Sequence, residues 1–203
     1  MRQSHCFLAC GSGKAFQIEH EPIALLVLSG KQDLLRLLSK VGIFQSMKPK
    51  LYIETTIPSY LVSAPSRDVI IAGHQQTTKL WWESRKELFD IFISQLVIDE
   101  VSAGNPEQAR LRLEAIRVFP QLEIVDEAVQ LAAELVKAGV FPQKASTDAA
   151  HIAVTAVHGV EYLMTWNCRH IANATIFQSV REICLQQGYA FPTICTPEEL
   201  LGE

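Results

Sequence analysis

Four side chains in this sequence have the types and the spacing to support phosphodiester chemistry: Glu54, Glu100, Asp148 and Asn167. A hard divalent cation such as Mg²⁺, or Mn²⁺ in its place, takes one or two carboxylates and completes its shell with waters and phosphate oxygens. Such an ion lowers the pKa of a bound water, orients it for in-line attack on phosphorus and neutralises charge on the leaving oxygen. Glu54, Glu100 and Asp148 are the carboxylates available for it. Asn167 adds a neutral carbonyl oxygen that can accept a contact from a metal or a water.

The elements that must position these groups can be read from periodicity. Leu51-Tyr52-Ile53 is short, apolar and β-prone, Pro58 bars a central strand from continuing, and Glu54 therefore stands at a strand's end. Arg67 to Phe92 carries apolar and small residues at mostly three-and-four spacing, which predicts a long helix. Phe92 to Ile98 (FISQLVI) follows as a buried strand with Glu100 just past it, and Asn105-Pro106-Glu107 starts another helix. Asp126 is expected to cap a helix ending at Gly139, and Ser146 or Thr147 to cap the next, with Asp148 in its first turn. Strands at Glu161–Trp166 and Thr193–Cys195, with a helix from Ile176 to Gln187 between them, complete the pattern.

This alternation predicts the α/β class, a parallel sheet with helices on both faces. Ligands of such sheets gather beyond the carboxyl ends of the strands, where Glu54, Glu100 and Asn167 are expected. Asp148 joins them only if the start of its helix lies over the same edge, which periodicity does not decide. Taken singly, each acid has an ordinary structural explanation: Asp148 suits a helix N-terminus and Glu100 a solvated loop.

The acids also arrive in recognisable company. KLYIETTIPSYL at 50 to 61, SQLVIDE ending in Glu100, STDAAHIAVTAVHGVEYLMTWN and the closing ICTPEELL resemble, in order, the segments of PIN domains of the VapC toxin type. The resemblance runs from about Met47 to the C-terminus. It implies a Rossmann-like sheet and an Mg²⁺- or Mn²⁺-dependent endoribonuclease, with a cognate antitoxin and a homodimer as partners. Carried over by position, it makes Glu54, Glu100 and Asp148 the metal-holding acids, with Asn167 where a fourth acid often stands. Thr55 or Thr56 would orient a metal-bound group or its water, and Arg169 and His170 would meet the scissile phosphate. Two departures stand out: Glu54 has a longer arm than the usual aspartate, and neutral Asn167 removes one negative charge.

The rest of the 203-residue chain narrows the classes further. A net charge of −4 excludes bulk electrostatic gripping of nucleic acid, so RNA contacts must be local. Five scattered cysteines without a C-x-x-C pair suggest neither a disulfide framework nor a zinc ribbon, and Cys168, Cys184 and Cys195 read as reduced thiols. No apolar run approaches the roughly 18 residues of a spanning helix. Nor does the start match a secretory signal, so a cytoplasmic protein is expected. No dinucleotide or P-loop motif occurs. Lys79, Arg85 and Lys86 alternate with Glu83 and Glu87 as a solvated face, and of the adjacent Trp81 and Trp82 at least one is expected in the core. His151, three positions after Asp148, is more simply a structural histidine than a base, and is left out of the catalytic set.

Two segments follow: residues 1–46, an extension or an over-long start within which Lys31–Leu38 suits a short amphipathic helix, and a PIN-type domain over 47–203. Against the nuclease stands a PIN-like module that binds RNA or protein without turnover. A structure-specific DNA nuclease is a weaker alternative for so compact a chain.

Overall fold

A computed structural model describes residues 48–202; the expected extension and its short helix fall outside these. Five parallel strands form one sheet in the order β3-β2-β1-β4-β5. They are β1 (Lys50–Ile53), β2 (Asp90–Ser94), β3 (Gln121–Leu122), β4 (Tyr162–Met164) and β5 (Thr193–Cys195). Seven α-helices connect them: α1 (Thr56–Val62), α2 (Val69–Ser84), α3 (Gln95–Ser102), α4 (Pro106–Ile116), α5 (Asp126–Lys137), α6 (Ser146–Val157) and α7 (Phe177–Gln186).

The order explains the two helical layers. From β1 through β2 to β3 the chain steps in one direction, then returns past β1 to β4 and continues outward to β5. Right-handed crossovers in opposite directions put α1 to α4 on one face and α5 to α7 on the other. The direction reverses between β1 and β4, and at the carboxyl ends of strands at such a switch point a parallel sheet characteristically leaves a crevice for ligands. The core is apolar on both sides of the sheet, with Leu51, Ile53, Ile57, Ile152 and Leu163 fully buried.

Local chemistry sets some boundaries. Asp68 caps α2 through bonds from the amides of Ile70 and Ile71, and Asn105 caps α4 through those of Glu107 and Gln108, with Pro106 in the first turn. Pro58 sits in the first turn of α1, where its missing N–H costs no helical bond. Of the tryptophan pair, Trp81 is fully buried while Trp82 is partly covered, with Lys86 over its ring.

Several expected boundaries move. FISQLVI is not one strand: β2 stops at Ser94, and Gln95 opens α3, so Glu100 lies within a helix rather than just past a strand. A short apolar run fits either state. Here Val97 and Val101, four apart, are the buried pair, and Gln95 bonds Asp99 at the same helical spacing. The expected helix over 67–92 ends at Ser84, a single 3₁₀ turn at Lys86–Leu88 follows, and β2 begins at Asp90. Asp126, Ser146 and Thr147 are not caps but lie inside the first turns of α5 and α6, whose preceding residues, Val125 and Ala145, have no side chain able to cap. Helix α1 and the two-residue β3 had no periodic signal of their own.

Replacing Asn105 with alanine removes the one side-chain oxygen that accepts from both the Glu107 and Gln108 amides at the start of α4. A loss of about 1 kcal/mol of unfolding free energy is expected, read as a lower urea midpoint at unchanged slope.

Candidate functional site

The strand ends at the crevice carry polar side chains whose bonds are closed among themselves. Glu54 follows β1 directly, its amide bonded to the Met164 carbonyl, and only 4% of its surface is exposed. One carboxylate oxygen, Oε2, accepts from the Thr56 amide at 3.0 Å, the Thr56 hydroxyl at 2.6 Å and the Thr165 hydroxyl at 2.7 Å. Three donors on one oxygen offset the cost of burying it. Thr56 in turn accepts from the Trp166 amide at 2.8 Å, tying α1 to the end of β4.

Glu100 reaches the same place from the second turn of α3. Its Oε2 accepts from the Thr55 hydroxyl and from His151 Nε2 at 3.2 Å. Glu54, Glu100 and His151 each offer one atom to a group in which all lie within 4.8 Å of one another. Burial raises the Glu100 pKa, but the bonds from His151 and Thr55 and the charge of His151 outweigh it, and the carboxyl lies below its ordinary 4.5.

Asp148 approaches from α6. A helix that leads back into a parallel strand runs against it, so its first turn lies over the carboxyl edge, which is why a helix N-terminus can serve this crevice. Asp148 Oδ1 accepts from the Asn167 side-chain amide at 2.8 Å and Oδ2 lies 2.7 Å from His170 Nδ1. The Asn167 side-chain oxygen Oδ1 accepts from the His170 backbone amide, and the Asn167 backbone amide donates to Thr165 Oγ1, itself bound to Glu54. Asp148, Asn167 and His170 thus form a second cluster joined to the first through Thr165. Arg169 is exposed beside it.

Neither a protein-family model nor a curated protein matches this chain.

Of the residues singled out by sequence, Glu54 and Glu100 come together, as do Asp148, Asn167 and His170, while Thr55 and Thr56 each bond a carboxylate. Asp148 is not in the closely spaced group; His151, set aside by sequence, is. Its signal was a polar ring within AAHIAVTAV, where α6 is buried on nearly every side. Thr165, Tyr52 and Ser94 gave no such signal, because short polar residues in strands are common.

The donor set fits a hard divalent cation. Both glutamates are anchored through Oε2, and among the described residues no donor reaches Oε1 of either. Two carboxylate oxygens at one crevice are what such an ion prefers. The thiols stand apart: burial pushes Cys184 up to about 11 and Cys195 up to about 12, and His170 is engaged by Asp148 rather than by Cys168. Two open surface clefts, one about Phe89, Phe92 and Pro120 and one about Val129, Val136 and Lys137, contain none of these residues.

Because the folded Glu100 pKa is lowered, its contribution to stability is present above pH 4.5 and is lost as pH falls through the folded value. Thr55→Val removes one of the two donors. The Glu100 titration, followed by carboxyl ¹³C shifts, is expected to move up toward 4.5 in that variant.

Proposed function

We propose that this protein is a metal-dependent endoribonuclease, of the PIN-domain kind that its motifs resemble. The observation that carries the reading is the glutamate pair at the switch point of a parallel sheet, each acid anchored by one oxygen and open at the other. Anionic groups at that place in a fold with no dinucleotide or P-loop motif favour a bound cation over a bound phosphate alone.

In this reading Glu54 and Glu100 hold Mg²⁺ or Mn²⁺, and Asp148 contributes from the side, its two oxygens oriented by Asn167 and His170. When bound, the ion would supply an activated water and a counter-charge for the phosphate. Thr56 and Thr165 hold Glu54, and Thr55 holds Glu100, so that both acids are fixed before substrate arrives. Asn167 acts through Asp148 rather than as a fourth ligand, since both ends of its amide are already bonded. Exposed Arg169 meets the RNA backbone near the cut, compensating locally for the net negative charge of the chain.

The resemblance extends the proposal to biology: the toxin of a toxin–antitoxin pair, acting as a homodimer in the cytoplasm, with a small antitoxin protein covering the crevice. Among the described residues no helix is long and apolar enough to cross a membrane.

Incubating a mixed RNA pool with the protein is expected to give cuts with Mg²⁺ or Mn²⁺ and none with EDTA. Asp148→Asn should reduce cleavage to background while leaving the circular-dichroism spectrum unchanged. Cleavage retained in that variant would remove Asp148 from the mechanism, and no cleavage under any metal would favour a binding module without turnover.

Arg169→Ala is expected to raise KM several-fold, change kcat little, and flatten the dependence of binding on salt. A fall in kcat at constant KM would instead give Arg169 a role in the transition state.

A further inference from the structure

A chain of hydrogen bonds runs from the interior of the sheet to Glu100. Tyr52 in β1 and Ser94 at the end of β2 point to the face covered by α6, since Tyr52 pairs with Phe92 and Ser94 lies two residues further on. The Tyr52 hydroxyl lies 2.6 Å from Ser94 Oγ and 2.8 Å from His151 Nδ1, and His151 Nε2 lies 3.2 Å from Glu100. Ser94, Tyr52 and His151 are all fully buried.

The direction of this chain follows from its last acceptor and the charge on the ring. An ionised carboxylate only accepts, so His151 Nε2 must carry a hydrogen. When the ring is neutral Nδ1 is then bare, the Tyr52 hydroxyl donates to it, and Ser94 donates to the Tyr52 oxygen; when it is charged, Nδ1–H donates to the Tyr52 oxygen and the Tyr52 hydroxyl to Ser94. Every buried polar atom of the chain is satisfied in either arrangement, whereas the other neutral tautomer would set a bare nitrogen against the carboxylate. Both ring nitrogens are thereby occupied, which suits a residue that holds a ligand better than one that is a ligand.

We propose that Ser94, Tyr52 and His151 are positioning residues that fix Glu100 by one oxygen and leave the other for the cation, a role that rests on the metal-dependent reading above. Partners that orient a metal-binding side chain commonly change affinity about 10- to 100-fold when removed. None of the three need touch the ion.

The test measures Mn²⁺ binding calorimetrically on the full chain, with imidazole ¹⁵N spectra at mildly alkaline pH and His151→Gln to assign the His151 signals. Wild type should show His151 protonated at Nε2. Tyr52→Phe should bind Mn²⁺ about tenfold more weakly, with its His151 signals moved toward a mixture of tautomers. Ser94→Ala should give a smaller loss in the same direction, and decides the matter should Tyr52→Phe fail to fold. Equal affinity in wild type and the folded variants overturns the positioning role alone and leaves the nuclease reading standing. A wild type that binds no Mn²⁺ overturns the metal reading and this role with it.

Discussion

Two carboxylates brought close together at the edge of a buried sheet repel each other and lose hydration, and much of this structure is the answer to that cost. Glu54 is nearly enclosed and Glu100 mostly covered, yet one oxygen of each shares the 4.8 Å group with His151. Burying such acids is costly wherever their oxygens find no donor. Hydroxyls from Thr55, Thr56 and Thr165, the Thr56 amide and the His151 ring counter it. These donors come from the start of α1, the end of β4 and the body of α6, so the site exists only when strand order and helix layers are in place. A cation between the free oxygens would relieve the remaining repulsion, which is the physical link between this geometry and the proposed chemistry.

The topology makes the convergence inexpensive. The chain's direction reverses between β1 and β4, and Glu54 and Thr165, at the ends of these two strands, are bonded to each other. Helix α3 leaves β2 at the same edge and delivers Glu100 after a turn and a half; α6 starts there and delivers Asp148, then His151 one turn deeper. Neighbouring strands and antiparallel helices place five side chains within one cluster network without any long loop.

Much of this frame was legible in the sequence, for stated reasons. The α/β class followed from alternating periods, the Asn105-Pro106 start of α4 from capping chemistry, and Thr193–Cys195 was read to the residue as a strand. What failed was local: Phe92–Ile98 mixes apolar residues at spacings that suit strand and helix alike, and only packing of Val97 and Val101 decides for helix beyond Ser94. Asp148's reach depends on the direction of α6 relative to β4, a property of topology that periodicity does not contain. His151 and Tyr52 were illegible because a buried histidine and a strand tyrosine have ordinary structural uses, and their pairing spans 99 positions.

The central claim is that a divalent cation sits between Glu54 and Glu100. Anomalous scattering from crystals of the protein soaked in Mn²⁺ locates such an ion directly. The account predicts one peak at the carboxyl edge of β1, contacted by oxygens of Glu54 and Glu100, with the His151 ring still bonded to Tyr52. A site without any peak, or a peak bound only elsewhere on the surface, would contradict it.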